Sequence, residues 1–382
     1  MSSNSPHIAL FIGSFGGGGI ERITAHLAHG FVERGLNIDL VLNRGESPHL
    51  WRMPPETRII DLKQPKLSLS LPGLVQYLHQ ERPLALLAAD HYLNEMALLA
   101  GRIPGVSTRI IVAEHNQLSK TSRQGGKFKA RIAPLLARVL YPCADGIVAV
   151  SQGVARDLAY TASLSPERIQ TIYNPVITPD IFASAQEPLE HPWFQDKEIP
   201  VLLGVGKLEG QKDFPNLIRA FAKVRRNRPC RLVILGWGPD RPQLETLIQD
   251  LGLQDDVDMP GYAQNPYAYM ARSSVFVLSS AWEGLPTVLI EAMALGVPVV
   301  STDCESGPSE ILAGGKYGYL TPVGDSNALA NSILEVLAGE QKLIESSWLE
   351  QFGLEMATRK YLDVLGAKGF AKDKATQSAF LS

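Results

Sequence analysis

Two glutamates, Glu283 and Glu291, are separated by seven residues in the stretch VFVLSSAWEGLPTVLIEAMALGVPVVSTDCESGP. A carboxylate accepts hydrogen bonds from hydroxyl groups, although Glu291 alone also reads as an ordinary helix carboxylate and Glu283 as a loop cap. Between them Pro286 marks a helix start, because proline's missing N–H costs nothing in the first turn. Thr287 and Glu291 then share one helix face. A helix start attracts anions. Carboxylates set around an anion-binding helix start, reached through Gly284 and Leu285, fit a ligand carrying both phosphate and hydroxyl groups. Lys207 and Lys212, in VLLGVGKLEGQKD, can neutralise a diphosphate through charge-assisted hydrogen bonds, or stand as solvated loop lysines. The run Gly13-Ser14-Phe15-Gly16-Gly17-Gly18-Gly19 lets a ligand approach the backbone N–H groups of Gly17 and Gly18, or is a flexible turn. His115, in Glu114-His115-Asn116, reads from its position alone equally as a surface loop residue or a site residue.

These residues need strands and helices to hold them. Val275–Leu278 and Val297–Val300 are short apolar runs with a helical pattern between them, a βαβ unit of a parallel sheet. Ile8–Ile12 is an apolar run typical of a strand buried on both faces, and it leads into the glycines and a helix from Ile20 to about Arg34. Strand patterns at Ile38–Leu42, Thr57–Leu62, Leu84–Ala89, Ile110–Ala113, Gly146–Ser151 and Ile169–Pro175 alternate with helical ones, as at Leu71–Glu81; Ser151 is placed to cap a helix. A proline-rich, acidic and polar segment around Pro175, Pro179, Pro188, Pro192 and Pro200 reads as a linker. A second series follows, with strands at Val201–Leu208, Arg231–Gly238 and Val257–Tyr262 and a helix from Phe214 to Asn227. The tail from Leu349 to Leu365 reads as a helix.

The 382-residue chain suffices for two domains with their own cores. A hydrophobic share of 45%, a charged share of 20% and a net charge of −3 describe a globular protein without the basic bias of bulk nucleic-acid binders. MSSNSPHIALFIGSF lacks a charged leader before a long apolar core, and no later run has the length of a membrane span, which predicts a cytoplasmic protein. Cys143, Cys230 and Cys304 are scattered without metal-ligand spacing and read as reduced thiols. From Leu118 to Arg138 the chain carries Lys120, Arg123, Lys127, Lys129, Arg131 and Arg138 without an acidic residue. Its later part has apolar residues at helical spacing, interrupted by Pro134. Such a basic amphipathic segment serves an anionic membrane surface or a phosphorylated acceptor, or is a core helix with a solvated basic face.

The glycine-rich loop, the Lys207–Lys212 loop, the Glu283–Glu291 spacing and Ser306-Gly307-Pro308-Ser309-Glu310-Ile311-Leu312 coincide in order, and together resemble glycosyltransferase family four over nearly the whole chain. That resemblance implies an α/β GT-B fold, two Rossmann-like domains facing each other across a cleft. The expected division is an acceptor domain over 1–185, a nucleotide-sugar domain over 186–355, and a helix and tail over 356–382 crossing back to the first domain. It implies that Glu283 binds hydroxyls of the donor sugar, Glu291 the ribose diol, and Lys207 and Lys212 the diphosphate. The family commonly has arginine where Lys207 stands, so the charge is kept and the bidentate grip is not. His115 would orient the sugar, and Gly307 and Pro308 would lie beside the diphosphate and ribose. Base recognition in such folds leans on backbone groups, and the Trp237–Pro239 turn and the Met259–Tyr262 loop are the candidates for it. The implied activity is retaining, metal-independent transfer from a UDP- or GDP-sugar to a glycan or lipid-linked glycan acceptor in surface polysaccharide synthesis, with no cofactor and no nucleic-acid partner. A peripheral place on the inner membrane face goes with the basic stretch. The alternatives are a nucleotide-sugar epimerase or hydrolase, or a non-catalytic donor-binding partner of another transferase.

Overall fold

The structure, a computed structural model, describes residues 7–16, 18–45, 47–120, 128–195 and 198–371, with backbone alone at 128–131. The chain forms two compact units, residues 1–176 with 351–382, and residues 177–350. The first is built on seven strands: β1 (His7–Ile12), β2 (Asn37–Leu42), β3 (Arg58–Asp61), β4 (Ala85–Ala88), β5 (Arg109–Glu114), β6 (Gly146–Ala149) and β7 (Ile169–Thr171). They pair in parallel in the order β3-β2-β1-β4-β5-β6-β7. Helices cover the faces of such a sheet, so its central strands must be apolar on both sides. Ile8, Ala9, Leu10 and Phe11 in β1 are at most 1% exposed.

The last helix, Leu354–Leu365, belongs to this first unit and lies against the Gly19–Val32 helix. Gly30 permits the contact, because a Cβ there would overlap the buried Thr358 hydroxyl. Arg34 and Glu355 add an ion pair at 2.5 Å. The outgoing and returning passages of the chain run together, with Val176 N–H donating to the Phe352 carbonyl at 2.9 Å and the Tyr173 and Phe352 rings 5.1 Å apart.

The second unit holds β8 (Val201–Val205), β9 (Arg231–Leu235), β10 (Val257–Gly261), β11 (Val275–Leu278), β12 (Val299–Thr302) and β13 (Tyr319–Thr321), parallel in the order β10-β9-β8-β11-β12-β13. Its core is filled by the stripe Phe214, Leu217, Ile218, Phe221 and Val224 of the Phe214–Asn227 helix, all at most 3% exposed. This is helical periodicity turned onto a sheet. In each sheet the order reverses beside its first strand, between β1 and β4 and between β8 and β11. Ligands of open α/β sheets bind beyond the carboxyl ends of strands at such a reversal.

Several boundaries differ from the sequence expectation. The division falls at 176/177 and 350/351, not at 185/186 and 355/356, because the Pro179–Ala185 helix is held by the second unit. There Asn265 donates to the Ser184 carbonyl at 2.8 Å and Arg272 to that of Ala185 at 2.9 Å. The strand expected at Val297–Val300 starts at Val299; Pro298 has no N–H for the ladder and offers only its carbonyl, to Phe276 N–H at 2.9 Å. The tail helix starts at Leu354, after Gly353, rather than at Leu349. The Phe128–Leu140 helix runs unbroken through Pro134.

Candidate functional site

The reversal point of the second sheet gathers most of the residues singled out in the sequence. Beyond β8 the chain turns at Gly206 and reaches Lys212; beyond β11 it passes Ser279 and Ser280 to Glu283. Asp213 takes a left-handed conformation (φ 45°) and caps the following helix by accepting from Asn216 N–H at 3.3 Å. A left-handed residue other than glycine is strained, and here it lies immediately next to a site lysine. The Lys212 side chain lies across Gly206, where a Cβ would approach its Cε to 2.9 Å. Its Nζ donates to Glu283 Oε1 at 2.6 Å, with the two side chains 16% and 6% exposed.

Glu283 has two more partners. Ser280 Oγ donates to Oε1 at 2.7 Å, and Gln211 Nε2 to Oε2 at 3.3 Å. Neither Ser280 nor Gln211 stood out in the sequence. The signal for both was available, since each lies in one of the two loops that follow the strands flanking the sheet reversal. Past Glu283, Gly284, Leu285 and Pro286 are buried, and Pro286 is the N-cap of the Thr287–Ala294 helix rather than part of its first turn. Thr287 begins that helix, and Glu291, one turn on, is 1% exposed. Gly307 (φ 92°) leads into Pro308, and its α-carbon packs against the Pro286 ring with no room for a Cβ. Ser306 Oγ donates to the Gly284 carbonyl at 2.8 Å. The loops after β8, β11 and β12 thus form one bonded body.

Lys207 has its own side-chain partners. Lys207 pairs with Glu209 at 3.0 Å and its Nζ is 5.8 Å from the centroid of the Trp237 ring, which is 62% exposed. Leu208 N–H donates to the Trp237 carbonyl at 2.9 Å, and Gly238 has no room for a side chain against Leu208. The Lys207 ammonium thus pairs with Glu209, whereas that of Lys212 pairs with Glu283. The Met259 side chain is in the hydrophobic core and its carbonyl accepts from Arg241 at 2.9 Å, so what the Met259–Tyr262 loop can offer a base at this position is backbone.

In the first unit, Gly17 lies outside the described residues. Gly18 is the N-cap of the Gly19–Val32 helix, and the Glu21 carboxylate folds back to within 2.5 Å of where a Cβ at Gly18 would stand. An internal anion already complements this helix start. Beyond β5, His115 lines a small cavity with Leu10, Leu87 and Tyr361, and burial pulls its pKa down to about 4. It is a neutral imidazole at neutral pH. Behind it lies a buried polar group absent from the sequence reading. Tyr141 and Asn94 donate to Glu114 Oε1, and His91 sits 3.4 Å from Glu114 and 3.1 Å from Glu95. Burial alone would lower the pKa of His91, but hydrogen bonds to Glu114 and Glu95 override it and push it up to about 10. Burial, then the Glu114 charge, raises Asp90 to about 6.

Two parallel sheets in Rossmann order are the α/β architecture of a GT-B fold. Solved structures agree on the fold: Anabaena HepE in complex with UDP and glucose (TM-score 0.76, 21% identity, 95% of this chain and 100% of that one) and the apo form of the lipopolysaccharide outer core galactosyltransferase WaaB (TM-score 0.72, 23% identity, 94% and 99%). Residues 17–178 match the model of Glycosyltransferase Family 4 and residues 186–347 that of Glycosyl transferases group 1; the chain belongs to this glycosyltransferase family. Among its relatives is the N-acetylgalactosamine-N,N'-diacetylbacillosaminyl-diphospho-undecaprenol 4-alpha-N-acetylgalactosaminyltransferase of Campylobacter jejuni, 31% identical over 345 residues (87% of this chain, 91% of the relative). Another is the lipopolysaccharide core biosynthesis glycosyltransferase LpsE of Rhizobium meliloti, 28% identical over 366 residues (92% and 96%).

Proposed function

We propose that the protein transfers a sugar from a UDP- or GDP-sugar to a glycan or lipid-linked glycan acceptor in surface polysaccharide synthesis, with retention of configuration and without a metal ion. The observation that carries this reading is the Lys212–Glu283 pair at 2.6 Å, beside the helix that bears Glu291. The Campylobacter relative's name specifies a diphospho-undecaprenol-linked acceptor, and HepE is described in complex with UDP. Both support the substrate classes.

In this reading Lys212 faces the diphosphate with the ammonium hydrogens that Glu283 does not use, and Gly307, Pro308 and the Thr287 helix start complete the anion cradle. Fixed positive charge where negative charge develops lowers the barrier in the way a metal ion would. The acceptor oxygen bonds to the anomeric carbon on the face from which the diphosphate leaves. The anomeric carbon–oxygen bond to phosphate breaks, and the acceptor proton passes to a phosphate oxygen. Glu283 accepts sugar hydroxyls and Glu291 the ribose diol. For His115 we retain the role of hydrogen-bonding a sugar hydroxyl as a neutral imidazole.

Binding of free nucleotide and of nucleotide sugar separates the two glutamates. Glu291→Gln should weaken both by roughly 10–100-fold, the loss of a charged hydrogen bond worth about 1.5–3 kcal/mol. Glu283→Gln should weaken only the nucleotide sugar. Equal loss of both ligands in the two variants would contradict the assignment. Transfer activity that survives EDTA is expected; loss on chelation with recovery on added magnesium would reject the metal-free mechanism.

A further inference from the structure

Glu283 is held unequally at its two oxygens. Oε1 accepts from Lys212 Nζ at 2.6 Å and from Ser280 Oγ at 2.7 Å. A carboxylate oxygen has two in-plane lone-pair sites, and both are taken. Oε2 accepts from Gln211 Nε2 alone among the bonds described, at the longer distance of 3.3 Å. The same Nε2 also donates to the Trp282 carbonyl at 3.1 Å, so both hydrogens of the Gln211 amide are spent.

The residues that do this are themselves fixed. Ala281 N–H donates to the Gln211 carbonyl at 2.8 Å and Ser279 Oγ to that of Lys212 at 2.7 Å, which ties the loop after β11 to the loop after β8. Thr302 Oγ1, at the end of β12, donates to the Ser280 carbonyl at 2.6 Å. Ser280 is 0% exposed and Thr302 0% exposed. A buried serine hydroxyl aimed at a carboxylate oxygen that already has a lysine adds little that folding needs; what it fixes is the orientation of the carboxylate plane.

We infer that Ser280 and Gln211 are positioning residues for Glu283, saturating Oε1 and steering Oε2 so that Oε2 is the oxygen presented to the donor sugar. This rests on the reading of Glu283 as the sugar-binding carboxylate. Without Ser280 the carboxylate can rotate about its last bond, and the alignment of Oε2 with a sugar hydroxyl is lost while Lys212 keeps its charge partner. The diphosphate grip is then intact, so the defect is confined to the sugar. Ser280 and Gln211 act through Glu283, and their effects vanish once Glu283 no longer presents a carboxylate.

The experiment uses the full chain and the pairs UDP with UDP-glucose, UDP-galactose and UDP-N-acetylgalactosamine, and GDP with GDP-mannose, with binding measured by calorimetry and folding checked by thermal melts. For the sugar nucleotide that wild type binds, Ser280→Ala and Gln211→Ala should each weaken affinity about three- to thirtyfold, with free nucleotide unchanged; a factor of ten corresponds to about 1.4 kcal/mol. Ser280→Thr, which keeps the hydroxyl, should restore binding. In a Glu283→Gln background, Ser280→Ala should have no further effect. Full affinity in Ser280→Ala and Gln211→Ala while Glu283→Gln is impaired overturns the inference and leaves the reading of Glu283 standing. An equal further loss in the Glu283→Gln background overturns it too, because Ser280 would then act on its own. If Glu283→Gln binds the sugar nucleotide as wild type does, or wild type binds none of the probes, the reading itself fails and the inference with it.

Discussion

At the scale of single residues, the side chains proposed for the chemistry were legible as candidates wherever charge stood in a recognisable spacing, and not where a contact depended on folding. Glu283, Glu291 and Lys212 announced themselves by spacing and loop position. Ser280 and Gln211 did not, because a serine or glutamine becomes a partner only when two distant loops meet. The buried group of His91, Glu95 and Glu114 was equally invisible, since its members come from one helix and the end of β5. That group sets a pH dependence. His91 has its pKa raised to about 10 from the ordinary 6.5. Its contribution to stability is therefore full below about pH 6.5 and is lost as pH rises through about 10. Thermal midpoints should fall more steeply between pH 7 and 10 in wild type than in His91→Gln. Parallel profiles for the two proteins would contradict a charged His91 in the fold.

At the scale of elements, apolar runs and helical stripes placed most strands and helices within a few residues, because strands buried on both faces are nearly continuous in apolar character. The misplacements have local causes. Pro298 lacks the N–H that would have begun β12 two residues earlier, and the final helix begins at Leu354, after Gly353, rather than at Leu349. The joints between elements matter most for the site. Gly307 has φ 92°, a conformation that disfavours other residues, and its α-carbon rests on Pro286, the residue that caps the Glu291 helix. Gly307→Ala should cost about 1–3 kcal/mol, seen as a lower denaturation midpoint, and should weaken nucleotide binding in the protein that remains folded. An unchanged midpoint would show that the loop can accommodate a methyl group and that its geometry is not imposed by this contact.

At the scale of the whole molecule, a net charge of −3 conceals an opposition between the two units. The first has 23 basic and 16 acidic residues, net +7, and the second 13 basic and 23 acidic, net −10. Overall composition cannot reveal this; the division of the chain does. In the first unit Leu135 and Val139 are 62% and 59% exposed beside Arg138 on the Phe128–Leu140 helix. No helix among the described residues is long and apolar enough to cross a membrane. We propose an anionic lipid surface as a partner of the basic unit. Sedimentation with anionic liposomes should show binding that falls with added salt and with Lys127, Lys129, Arg131 and Arg138 changed to glutamine. Binding equal on neutral and anionic liposomes would reject that surface. The central claim is that the second unit takes a nucleotide sugar at the reversal point of its sheet, and the most direct measurement is a thermal-shift titration of the purified chain against UDP, GDP and their common sugar derivatives. A ligand at 100 times its dissociation constant stabilises by about 2.7 kcal/mol. The account predicts a rise in melting temperature with one nucleotide and its sugar derivative, reduced for both by Glu291→Gln; no shift with any of them, or a shift unaffected by Glu291→Gln, would contradict it.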